Sequence, residues 1–160
     1  NQYPKTKIRN YIKIDVELFK RYWLRGQSIE HSSGIENAIE DYHNAISLYK
    51  GDFLQNAVFE DWCDPIRENM KETYLAILGR LSFYSAEQER YAQTINLSKK
   101  MLEKDSCLEE AHRLLMLSYS KLGMRDKAIR QFQKCKEILL KELEVKPSKN
   151  TLDLFKKIRI

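Results

Sequence analysis

Leu108-Glu109-Glu110-Ala111-His112-Arg113-Leu114-Leu115-Met116 opens the stretch whose reading decides the fold, and Leu122-Gly123-Met124-Arg125-Asp126 turns it. Ala128, Phe132 and Cys135 follow, and Glu142-Leu143-Glu144-Val145-Lys146-Pro147-Ser148 closes it. The pattern reads as a helix, a glycine stop, a second helix and a proline stop. Leu115, Tyr119, Ala128, Phe132 and Cys135 fall where two antiparallel helices would touch, with small residues admitting the partner and aromatics filling the gaps.

Working outward, the composition agrees with helices. Only five glycines and three prolines punctuate 160 residues, which leaves little turn chemistry for a sheet-rich fold. No run approaches the ~20 apolar residues of a membrane span, and no signal-peptide pattern is present. Cys63, Cys107 and Cys135 are odd in number and widely spaced, so they read as reduced, buried thiols rather than disulfide or metal partners. The net charge of +5 is unevenly spread: residues 1–25 carry seven Lys/Arg against two acids, residues 26–85 four against ten, and residues 86–160 seventeen against eleven. Such polarity can steer acidic partners, although helix faces must carry charge in any case. Because the chain begins with Asn, it is expected to be a piece of something longer.

The first ten residues are polar, basic and contain Pro4, so residues 1–14 read as a linker or the tail of a preceding domain, with Tyr11-Ile12-Lys13-Ile14 alternating like a short strand. Asp15 is expected to cap a helix ending near Arg25, with Gly26 as its stop and Gln27 to Gly34 as a polar loop. A second helix is expected from Ile35 to Tyr49, and an irregular insertion from Gly51 to about Glu68. Within that insertion Trp62 would pin the segment to the body of the domain. Further helices are expected over about Asp61–Ser85, Gln88–Glu103, Leu108–Leu122, Asp126–Leu143 and Asn150–Ile158, the last capped by Ser148 or Asn150.

Ala38, Tyr42 and Ala45 share the spacing of Ala128, Phe132 and Cys135. Setting Ala92 against Ala128 gives a separation of 36 residues, close to the ~34-residue tetratricopeptide period. The expected fold is therefore all-α, a right-handed superhelix of antiparallel helix pairs, tetratricopeptide-like, with about seven helices and the last as a cap. In that geometry first-helix positions face an inner groove. They project to Trp23 and Lys20, to Tyr74, Ile77, Leu81 and Tyr84, and to Glu110, Arg113, Leu117, Ser120 and Lys121. Rigid aromatics beside Arg and Lys suit peptide recognition; aromatics at helical spacing also suit plain core packing.

Catalytic constellations are not legible. His31, His43 and His112 show no metal spacing, and there is no phosphate loop or nucleophile elbow. Glu109-Glu110 and Glu36/Glu40 read as wet-face or helix-start acids. No enzyme, metal or cofactor is expected.

Several motifs follow one another in order: Asp15 and Phe19; Leu48-Tyr49-Lys50-Gly51-Asp52-Phe53-Leu54; Trp62 and Arg67; Glu109/Glu110 to Met116; Gly123, Ala128 and Ile129; and Glu142 to Ser148. In this order and spacing they resemble the bacterial transcriptional activation domain family, the helical effector half of antibiotic-regulatory-type transcription regulators. Glu144 stands where that family usually has Gly, and Ser106-Cys107 where it commonly has Pro. The resemblance implies a non-catalytic interaction domain over residues 15–160, preceded by a winged-helix DNA-binding domain of which residues 1–14 are the tail. It implies a cytoplasmic regulator whose partners are its own N-terminal domain, a second copy of itself or RNA polymerase, with DNA reached only through the missing domain and no membrane contact. The alternative is a ligand-sensing helical repeat that binds a small molecule or peptide in the groove, for which Arg113 and Tyr84 are the polar candidates.

Overall fold

The computed structural model describes residues 5–49 and 64–160, with side chains described from residue 15 onward. Among these residues it is all-α. Seven helices follow in order: α1 (Lys5–Ser33), α2 (Ile35–Leu48), α3 (Asp64–Glu87), α4 (Tyr91–Lys104), α5 (Glu109–Lys121), α6 (Arg125–Leu143) and α7 (Lys149–Arg159). Pro4, Trp62, Cys63 and the expected insertion as far as Cys63 lie outside the described residues, while its last expected residues, Asp64 to Glu68, are helical in α3. The chain divides into two compact units, Asn1–Ile77 and Leu78–Ile160, with the division inside α3.

In the first unit α1 departs from the sequence reading at three places. Tyr11 to Ile14 are helical, not a strand: four alternating residues are too few to outweigh the helix formers on both sides. The helix then passes straight through Gly26 and the expected polar loop, and stops at Gly34, whose φ of 89° a side chain would disfavour. Gly26 serves a different end. A Cβ there would lie 2.6 Å from Cε1 of Tyr42, so the glycine lets α2 press the Tyr42 ring onto the α1 backbone. Val16, Phe19, Ala38, Tyr42 and Ala45 form the resulting seam, all buried. Burying side chains of this kind contributes roughly 1.5–3 kcal/mol each.

Two polar ties reinforce that seam. The buried Asp41 carboxylate is gripped by Arg25 through Nε (2.8 Å) and Nη2 (2.6 Å), and the Tyr42 hydroxyl donates to Glu30. Asp41 and its hydrogen bond hold the exposed Arg25 guanidinium above its ordinary range. Tyr49 lies 6.1 Å from the Phe19 ring and stacks on Tyr74, within α3, at 4.0 Å.

The second unit holds two hairpins and a capping helix. Ala111, Leu114, Leu115 and Met116 of α5 are buried, as are Ala128, Phe132, Cys135 and Leu139 of α6. Met116, Ala128, Phe132 and Ile158 make one apolar cluster, against which Tyr119, Ile129, Leu154 and Phe155 pack, and Phe155 stacks on Phe132 at 3.7 Å. In α4 the buried residues are Thr94, Ile95, Leu97, Ser98 and Met101, whereas Ala92 is exposed. The register read from Ala92 is thus off by two. The residue matching Ala128 is Thr94, 34 residues earlier, and Ser98 and Met101 match Phe132 and Cys135 at the same separation.

The turns confirm this register. At the α3–α4 turn the Glu89 amide donates to Ala86 and the Arg90 amide to Ser85. At the α5–α6 turn the Gly123 amide donates to Ser120 and the Met124 amide to Tyr119, each 34 positions later. Glu89 (φ 56°) and Gly123 (φ 74°) occupy the same left-handed position.

Candidate functional site

The family-like stretch Glu109 to Met116 turns out to be a structural clamp. Glu109 Oε2 accepts from the Ser148 amide (2.8 Å), the Ser148 hydroxyl (2.8 Å) and the Thr151 hydroxyl (2.5 Å), while Arg113 donates to Thr151 at 3.1 Å. A carboxylate is thereby placed on the first turn of α7, where the helix dipole favours it. Burial works to raise the Glu109 pKa, but the bonds from Thr151 and Ser148, with Arg113 nearby, outweigh it and hold the group below its ordinary value. Ser148 stands directly before Lys149, so of the two expected caps it is the one at the helix boundary.

His112 is fully buried. Its Nε2 lies 3.0 Å from the Ser106 carbonyl and its Nδ1 2.6 Å from Gln131 Nε2. Gln131 donates to Nδ1, so Nε2 carries the proton and donates to Ser106; this is a neutral imidazole with both nitrogens engaged. Desolvation lowers its pKa first, and Lys134 adds to the effect. Burial pushes the Cys135 thiol up to about 11, so at neutral pH it stays a thiol and a poor nucleophile. His31 and His43 are exposed. Among the described residues no cluster of three or more His, Cys, Asp or Glu could hold a metal ion.

The groove residues projected from the sequence meet different fates. In the first unit Trp23 is half-buried with its ring 5.9 Å from Tyr42, whereas Tyr74 is buried against Tyr49. In the second unit Leu81 is buried, Tyr84, Arg113 and Leu117 are half-buried, and Lys121 is exposed. The surfaces of Tyr74 and Leu81 are taken up by packing, as follows from the two-residue slip in the middle repeat. In the corrected register Phe83, 47% exposed, is the residue 34 positions before Leu117. Sequence reasoning missed it, and counting back one repeat period from Leu117 would have found it.

Comparison with known proteins comes to the same place. Residues 14–159 match the family described as "Bacterial transcriptional activator domain". Among solved structures, the C-terminal TPR-containing domain of a Plasmodium falciparum FK506-binding protein superposes with a TM-score of 0.66 at 15% identity, covering 92% of this chain and 90% of that one. At that identity the likeness speaks for the tetratricopeptide-like fold alone. A search of curated proteins found no match.

Proposed function

This chain belongs to the bacterial transcriptional activator domain family, and on that premise we propose that it is the non-catalytic interaction domain of a DNA-binding regulator. In this reading it makes contacts with the regulator's own N-terminal DNA-binding domain, with a second copy or with RNA polymerase. Residues 1–14 then lead in from that DNA-binding domain, and DNA is reached only through it. One observation carries the reading. The groups that could do chemistry are committed to packing: His112 to Ser106 and Gln131, Glu109 to α7, and Cys135 to the core. What remains at least partly accessible on α3 and α5 in the second unit is a set suited to recognition: Phe83, Leu117 and Lys121. No helix among the described residues is long and apolar enough to cross a membrane.

The ligand-sensing alternative needs convergent polar groups around a concavity. Arg113, one of its two candidates, instead donates to Thr151, which favours the interaction reading.

The test pairs two titrations. Labelled duplex DNA titrated with the chain should show no anisotropy change that survives moderate salt, because Asp126, Glu137 and Glu142 interleave with the cations of α6. Purified RNA polymerase, or a regulator's winged-helix domain supplied separately, should be retained by the immobilised chain and lost in a Phe83→Ala/Leu117→Ala variant. Salt-resistant DNA binding, or retention indifferent to those substitutions, overturns the proposal.

A further inference from the structure

We propose that the α5–α6 turn and the end of α7 together form a docking surface for an acidic, leucine-bearing segment of a partner protein. The inference rests on the interaction reading above but uses residues other than Phe83, Leu117 and Lys121. Three observations place it. Leu122 and Met124, on either side of Gly123, are 43% and 38% exposed although neither belongs to a flexible tail. The Arg125 guanidinium donates to the Arg159 backbone carbonyl, which ties the start of α6 to the end of α7. Lys127 stands 5.9 Å from the centre of the Tyr119 ring, and Arg159 stands 5.7 Å from that of Phe155.

Two acids close in sequence are turned to other cations. Asp126 is engaged by Arg130 at 3.3 Å and Asp153 by Lys156 at 3.3 Å. Cations laid over aromatic rings beside two exposed apolar side chains make a surface that is basic and apolar at once. Its complement must bring carboxylates for Arg125, Lys127 and Arg159 and apolar groups for Leu122 and Met124. A nucleic-acid duplex supplies the charge, but it leaves the two apolar side chains facing a phosphate backbone. An acidic amphipathic protein segment supplies both.

The experiment uses the full chain and a fluorescein-labelled peptide of repeated Glu-Glu-Leu-Leu, read by anisotropy. Binding should weaken with added salt. It should also fall about tenfold in a Lys127→Glu/Arg159→Glu variant and in a Leu122→Ser/Met124→Ser variant. Thermal melts verify that each variant is folded; where the charge reversal fails to fold, Lys127→Gln takes its place, with a smaller loss expected. Leu117→Ala should leave peptide affinity unchanged. Absence of peptide binding, or binding lost in Leu117→Ala but kept in the turn variants, overturns the surface; the latter outcome leaves the interaction function standing. Stronger binding to duplex DNA or to phosphatidylglycerol vesicles through the same cations overturns the choice of a protein partner.

Discussion

The middle and last hairpins of the second unit solve the same packing problem with opposite chemistry. Between α5 and α6 the seam is apolar and mixes small with large side chains: Met116, Ala128, Phe132 and Cys135. Thirty-four residues earlier the corresponding positions hold Ser82, Thr94, Ser98 and Met101, all buried. Small hydroxyl residues leave room there that Met101 fills. The Ser82 hydroxyl reaches the Met101 sulfur at 3.8 Å, and the Met101 methyl lies 3.8 Å from the Cβ position of Gly79. The polar pair His112–Gln131 has Leu78 and Leu97 as its counterparts, so the two hairpins have also exchanged where they keep their polarity. One helix-pair geometry thus accepts an apolar seam, a seam rich in hydroxyl residues or, at Gly26 and Tyr42, a glycine–aromatic contact, provided that the volumes across the seam are complementary.

The sharpest way to break this comparison is alanine at one repeat position in both hairpins. Phe132→Ala should cost about 3–5 kcal/mol in urea unfolding, since it empties a buried aromatic site. Ser98→Ala should instead raise stability by up to about 1 kcal/mol, because the buried Ser98 Oγ finds no hydrogen-bond partner among the described residues. Losses of similar size at both sites would mean that the seams are not built differently.

A second contrast lies in acid sensitivity. The folded state holds His112 below its ordinary 6.5, so as pH falls through that value the unfolded chain takes up a proton that the folded one resists. Stability should therefore begin to fall below about pH 6.5. A separate loss should set in below about 4.5, where the depressed Glu109 carboxyl is protonated more readily in the unfolded chain. Each group contributes at most ~1.4 kcal/mol per pH unit. A His112→Leu/Gln131→Leu variant, which copies Leu78 and Leu97, should lose the upper part of this dependence and keep the lower. Melting temperatures recorded from pH 7.5 to 4 distinguish the two parts.

The smallest expected effect sits at the turns. Gly123→Ala should destabilise by about 1 kcal/mol, since a side chain is disfavoured at positive φ even though no atom lies within 4 Å of its Cβ position. Glu89→Gly, at the matching position, should stabilise by a similar amount, and Glu144→Gly should do likewise at φ 57°. Equal and opposite shifts in melting temperature would confirm that the two turns are one structure with different residues in it.

Much of this was legible in the sequence. α5 and α6 were placed within a residue at each end because Gly123 and the apolar spacing are local signals, and the spacing of Ala38, Tyr42 and Ala45 located α2. The middle hairpin misled for a definite reason. Alanine was taken as the mark of close approach, and there Thr94 and Ser98 do alanine's work while Ala92 faces solvent. Gly26 misled in the same manner, read as a stop when its missing Cβ instead made room for Tyr42. The clamp of Glu109 on Ser148 and Thr151 joins residues about forty positions apart, and no spacing rule connects them.

The sequence by itself determined that this protein is helical, that its late helices pair across Gly123, and that it is built on a tetratricopeptide-like repeat. Those facts follow from periodicity, capping and turn residues, which act over a few positions. Tertiary structure alone decided the 34-residue register of the middle hairpin, the passage of α1 through Gly26 and the burial of Tyr74 and Leu81. It also decided the commitment of His112 and Glu109 to the scaffold. A helix has one 3.6-residue period whichever face is buried, and only the shape of its neighbour selects that face.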